Sequence, residues 1–144
     1  MMVKKFNILL KIILILGIIL SISGCSNKAK DMDASSKVMT KNDLLEVTSP
    51  APFAEIPNPV IVKGKSNFFE ATTSIRIIDS GGRILADTSA LAEGWGDKLY
   101  PFSKEVSYKD TKNNNGYVEV FEVSPKDGSE IKKVKIPVKF KIYK

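Results

Sequence analysis

The stretch that decides the fold is Val134-Lys135-Ile136-Pro137-Val138-Lys139-Phe140-Lys141-Ile142. Val134, Ile136, Val138, Phe140 and Ile142 alternate with Lys135, Pro137, Lys139 and Lys141, and Lys133 extends the basic row upstream. Successive side chains of a strand point to opposite faces, so alternation with period two describes a half-buried strand with one wet face. Pro137 has no amide hydrogen to donate, which predicts an edge position or a bulge. The row Lys133, Lys135, Lys139 and Lys141 has two readings. It is a salt-sensitive contact for an anionic surface such as phospholipid or a wall polymer, or a solvated face that guards an edge against pairing.

Working outward, short apolar runs alternate with turn signals from Leu44 to Lys144, and no run keeps a helical period. Val60-Ile61-Val62 follows Pro57-Asn58-Pro59 and is expected to end at Gly64. Phe69, Ala71, Thr73, Ile75 and Ile77 fall on one face of an extended segment closed by Ser80-Gly81-Gly82, with Ile84-Leu85-Ala86 as a short return strand. Val106–Tyr108 and Tyr117–Val123 flank Asn113-Asn114-Asn115-Gly116, which predicts a hairpin because Asn-Gly accepts positive φ. Asp127-Gly128 turns the chain into its last strand. About seven short strands in roughly 100 residues indicate an all-β antiparallel sandwich.

The chain has 144 residues, no His and one Cys. This is room for one domain, with no intrachain disulfide, no usual Cys/His zinc site and no His-based triad. Glu70 and Asp79 bracket one strand at about 30 Å, counting roughly 3.3 Å per residue, whereas paired glycosidase carboxyls lie within about 10 Å. Asp79 instead suits the cap of the Gly81-Gly82 turn, and Glu70 a backbone or lysine contact at a strand start. No G-x-S-x-G element occurs, so neither catalytic residues nor a cofactor are expected. Thr111, Asn113, Asn115, Gly116 and Glu122 match places in an EF-hand loop, but the first should be Asp and the flanks should be helices. No metal is therefore expected. Ala92-Glu93-Gly94-Trp95-Gly96, with Tyr100 nearby, offers either an aromatic platform for a partner or a plug for one end of the sandwich.

Upstream, Lys4-Lys5, an apolar core from Ile12 to Leu20 and the small-residue exit Ser21-Ile22-Ser23-Gly24-Cys25 describe an export signal. The apolar run is shorter than the roughly 20 residues a spanning helix needs. Removing residues 1–24 removes Lys4, Lys5 and Lys11, so half of the formal charge of +6 belongs to the signal. The remaining charge is no footprint for nucleic acid. Residues 26–43 are polar, mixed in charge and without period, which predicts a flexible tether reaching roughly 20–25 Å.

Ile22-Ser23-Gly24-Cys25 resembles the lipobox of bacterial lipoproteins. The resemblance implies diacylglycerol on the Cys25 sulfur, cleavage before it, and an extracytoplasmic domain held to the cell membrane by acyl chains. Downstream, Val47-Thr48-Ser49-Pro50, Asn58-Pro59-Val60-Ile61-Val62-Lys63-Gly64, Asn67-Phe68-Phe69-Glu70-Ala71 and Ile77-Ile78-Asp79-Ser80-Gly81-Gly82 resemble the immunoglobulin-like domain of bacterial spore germination, often found beside a GerMN domain. Trp95-Gly96, Val120-Phe121-Glu122-Val123-Ser124-Pro125-Lys126-Asp127-Gly128-Ser129 and Val134-Lys135-Ile136-Pro137-Val138 continue it across nearly all of residues 44–144. The resemblance implies an immunoglobulin-like sandwich without an established catalytic site, and its pattern places a Trp here too, which favours the plug. The expected protein is a lipid-anchored, non-enzymatic interaction module whose partner is an envelope protein or, in the second reading, a wall polymer gripped by the lysine face.

Overall fold

A computed structural model of the chain describes residues 40–141. The signal segment, Cys25, tether residues 26–39 and Ile142 lie outside the described residues. Two sheets face each other. One has the order β1-β2-β4-β7, from β1 (Lys41–Asn42), β2 (Leu45–Ser49), β4 (Val60–Ser66) and β7 (Tyr100–Val106). The other has the order β3-β9-β8-β5-β6, from β3 (Glu55–Ile56), β5 (Thr72–Asp79), β6 (Ile84–Leu91), β8 (Asn115–Val123) and β9 (Glu130–Phe140). Seven of these strands have five residues or more, as the spacing of turns predicts, and β1 and β3 have two each. Pairing is antiparallel except for β3, which lies parallel to β9 through Glu55–Lys139 and Ile56–Phe140.

The inner faces supply one core. Val60 and Val62 of β4 meet Ile75 and Ile77 of β5, Val118 and Val120 of β8, and Val134, Ile136, Val138 and Phe140 of β9, all buried. Each such side chain contributes about 1.5–3 kcal/mol on leaving water. Both sheets and this core lie within Lys41–Phe140, so the sandwich is self-contained. The alternation read in β9 holds: Val134, Ile136, Val138 and Phe140 are buried while Lys135 and Lys139 are exposed. The Pro137 carbonyl accepts from the Phe53 amide at 2.6 Å, on the side away from β8. Its nitrogen faces that same outer side, where β3 reaches only Lys139 and Phe140.

Five local expectations need correction. β4 does not end at Gly64. A Cβ there would sit 2.2 Å from the Glu46 carbonyl oxygen and 2.9 Å from the Phe102 ring, so the glycine serves close packing inside a strand. Phe69 and Ala71 are not on the inner face of β5. They belong to a 3-10 turn, Phe69–Ala71, in which Glu70 and Ala71 take φ of 52° and 58°, and Phe68 enters the core instead. The return strand β6 has eight residues rather than three. Asn113–Gly116 is no hairpin, because β7 and β8 belong to different sheets. Gly116 lies within β8, where a Cβ would meet the Ile78 carbonyl oxygen at 2.2 Å and the Phe140 ring at 2.5 Å. Finally, the end of the expected tether is structured: Lys41 and Asn42 pair with β2, and the Val47 amide donates to the Thr40 carbonyl.

Candidate functional site

The loop from Ala92 to Leu99 and the turn Phe69–Ala71 meet at one end of the sandwich. The Ala92 amide donates to the Ala71 carbonyl at 2.8 Å. Asn67 clamps the loop from the other side: its carbonyl oxygen accepts the Gly96 amide at 2.6 Å and its amide nitrogen donates to the Gly96 carbonyl at 3.2 Å. Gly96 holds φ of 126°, a conformation that suits glycine. The buried Glu122 carboxylate accepts the Phe69 amide at 2.9 Å and fixes the turn. These restraints present Trp95, 52% exposed, edge-on to Phe69, 45% exposed, with ring centroids 5.2 Å apart. Leu91, 73% exposed, pairs with Thr72 directly after the turn.

Trp95 is therefore not the plug. Two glycines beside it and the Asn67 clamp hold the loop outward, and Tyr108 closes an end of the sandwich instead, its ring 5.5 Å from that of Phe140 and its hydroxyl donating to the Ile56 carbonyl. Tyr100 braces the loop rather than offering a free face. A Cβ on Gly94 would lie 2.7 Å from its ring, and its hydroxyl donates to the Asp97 carboxylate at 2.7 Å. That bond holds the Asp97 carboxyl below its ordinary value and raises the Tyr100 phenol.

The lysine row is divided. Lys133 pairs with Glu130 and, at 3.3 Å, with Glu119; Lys135 pairs with Glu119 at 3.4 Å and lies 4.1 Å over the Tyr117 ring. Arg76 joins them through Asp87 at 2.9 Å and Glu130 at 2.6 Å. Bonds from Lys133 and then Arg76 hold the Glu130 carboxyl below its ordinary value. Beneath this lattice Phe121 is 1% exposed on the outer side of the sheet, with Arg76 and Lys133 each 5.0 Å from its ring centre. Lys139 stands opposite Glu55, and Lys141 follows the end of β9, both exposed. The four lysines thus do not form one uncommitted basic face.

Asp79 caps its turn as its position suggests, accepting the amides of Gly81 and Arg83 at 3.0 Å each, the Thr111 hydroxyl at 2.9 Å and the Arg83 guanidinium at 3.4 Å. Burial alone would raise its carboxyl, but these bonds and one from Asn113 win and hold it at about 2. Thr111 and Asn113 are thereby tied to Asp79, while Glu122 is bonded to Phe69 beyond Gly116 by six strand residues, about 20 Å at the usual rise of a strand. The EF-hand spacing does not converge on one point. Glu70 sits in the left-handed turn, and the backbone contact foreseen for it at this strand start is made by Glu122.

Spacing along the sequence puts Phe69 on the inner face and carries no signal for the Asn67 clamp, the Glu122–Phe69 bond or the outward burial of Phe121, whose partners are distant in the chain. The comparison with curated proteins returns no match. Among solved structures, CopC from Methylosinus trichosporium OB3b is similar at 20% identity over 71% of this chain and 100% of its own, with a TM-score of 0.44. The profile described as the immunoglobulin-like domain of bacterial spore germination matches residues 44–129, more than half of the chain and the region that forms β2 through the β8–β9 turn. The chain belongs to the family of immunoglobulin-like domains of bacterial spore germination.

Proposed function

We propose that this chain is a non-enzymatic interaction module of the bacterial cell envelope, held to the membrane by lipid on Cys25, that grips a protein partner through the Phe69–Trp95 end. The single observation behind this reading is the exposed aromatic pair on a braced loop. Aromatic side chains bring large contact area at small entropic cost, and the Asn67 clamp means that little order has to be created on binding. A role linked to sporulation or germination accords with the family. The wall-polymer reading is the weaker one, because Lys133 and Lys135 already share ion pairs with Glu119 and Glu130.

A photo-crosslinking amino acid in place of Trp95 in living cells tests the contact surface, with the same replacement at exposed Lys126 as control. A discrete adduct from position 95 alone is expected; adducts from both positions, or none, would refute it. Purified domain pelleting with cell-wall sacculi at low salt but not high salt would shift the assignment to the polymer. For the anchor, Cys25→Ala should abolish incorporation of labelled fatty acid and block processing, and a labelled, cleaved Ala variant would remove the lipid from the proposal.

A further inference from the structure

The outer face of the five-stranded sheet carries two ordered rows. Ile84, Ile78, Tyr117 and Pro137 stand directly opposite one another on β6, β5, β8 and β9. Phe53, bonded to the Pro137 carbonyl, continues this apolar line, and its two ends, Ile84 and Phe53, are 49% and 55% exposed. Alongside it runs Asp87, Arg76, Glu119 and Lys135, again directly opposite one another on the same four strands. The signs read minus, plus, minus, plus.

That order is antisymmetric about the midline between β5 and β8. A two-fold axis running along the strands at that midline reverses the row. It sets Asp87 of one copy against Lys135 of the other, and Arg76 against Glu119, with no like-sign contact in the row; the exposed contacts are the two end pairs, since the Arg76 and Glu119 side chains are 20% and 8% exposed. The same operation lays the apolar lines on each other, Ile84 against Pro137 and Ile78 against Tyr117. An isologous contact requires a patch complementary to itself, and this alternating row meets that condition. The four strands that overlap under this axis, at about 4.8 Å each, and four rows at about 6.8 Å give roughly 520 Å² per copy, or about 1,040 Å² in all, just above the roughly 1,000 Å² a specific interface needs.

We propose that this face is a homodimer interface, occupied by a second copy of the chain packed sheet on sheet through the Ile84–Phe53 line and the Asp87–Lys135 charge row. It is independent of the Phe69–Trp95 surface, which lies beyond the other end of the strands. The charges at the ends of the row are exposed, with side-chain accessibilities of 49% for Asp87 and 47% for Lys135; each also pairs within its own sheet, Asp87 with Arg76 at 2.9 Å and Lys135 with Glu119 at 3.4 Å, so exchanging them disturbs that charge lattice but not the core.

The test uses the self-contained domain, residues 40–144, in sedimentation velocity over a concentration series. The wild type is expected to dimerise. Lys135→Glu and Asp87→Lys should each weaken self-association at least about tenfold, since each sets two like-charge contacts in its own homodimer. Mixed together they should associate. In the heterodimer the introduced glutamate faces the introduced lysine at one end of the row, and the native Asp87 faces the native Lys135 at the other. Circular dichroism and Trp95 fluorescence check that both variants are folded. A wild type monomeric up to about 1 mM, variants that dimerise as well as the wild type, or a mixture of two monomeric variants that stays monomeric, would each overturn the proposal.

Discussion

The Ser66 hydroxyl on β4 and the Thr73 hydroxyl on β5 lie 2.6 Å apart, both at 0% exposure. The bond joins the two sheets through the core and closes the seven-residue span that carries Phe69. A polar pair at this depth is tolerated because each hydroxyl satisfies the other, and no buried side-chain nitrogen or oxygen among the described residues lacks a partner.

Removing either hydroxyl leaves the other buried and alone. Ser66→Ala or Thr73→Val should each cost about 1–3 kcal/mol. The double variant should cost clearly less than the two added together, since no orphan remains. Urea denaturation of the four proteins measures the coupling; simple additivity would show that the bond does not join the sheets.

Asp79 makes stability depend on acid. Its folded carboxyl is held at about 2, below the ordinary 3.8. The unfolded state therefore binds a proton first as pH falls, and the stabilisation, present in full above about pH 4, is lost as pH falls towards 2. Asp79→Asn should flatten that part of the curve, although Glu130, also depressed by Lys133 and Arg76, leaves a residual slope. Thermal melts between pH 2 and pH 5 read the difference, and an unchanged slope in the variant would disprove the assignment.

Two glycines serve different physics. Gly116→Ala drives a methyl into backbone and the Phe140 ring, where nothing can yield cheaply, and should destabilise by about 3 kcal/mol or more. Gly82→Ala meets open space and suffers only its φ of 82°, costing about 1 kcal/mol. Chemical denaturation ranks them, and the reverse order would contradict the packing of β8 against Phe140.

Residues that answer to a single local rule were legible in the sequence. The β9 alternation, the Asp79 cap and the Asp127-Gly128 turn, where Gly128 has φ of 75°, each follow from neighbours along the chain. What was not legible depends on distant partners. Asn115-Gly116 reads as a hairpin until β7 is seen to leave for the other sheet. Phe69 has the right spacing for the inner face, but Glu122, 53 residues away, takes its amide and supports a left-handed turn that swings the ring outward. Phe121 lies outside the core because Arg76 and Lys133, from two other strands, roof it.

Asn67 also reaches across the sequence, 29 residues to Gly96, and Trp95 reports on it directly as the chain's single tryptophan. Asn67→Ala removes both bonds of the clamp, of which the shorter fixes the Gly96 amide in its left-handed conformation. The global cost should be modest, about 1 kcal/mol, because Gly96 is exposed and water can replace the lost partners. The local effect should be larger: faster depolarisation of Trp95 fluorescence and easier quenching by acrylamide, while the Ser66–Thr73 bond and the core stay as they are. If the partner is bound through the pre-ordered Phe69–Trp95 pair, the same variant should weaken crosslinking at that end without abolishing it, since the loop must then be ordered on binding. Unchanged Trp95 depolarisation in Asn67→Ala would mean that Tyr100 and Gly94 alone hold the loop.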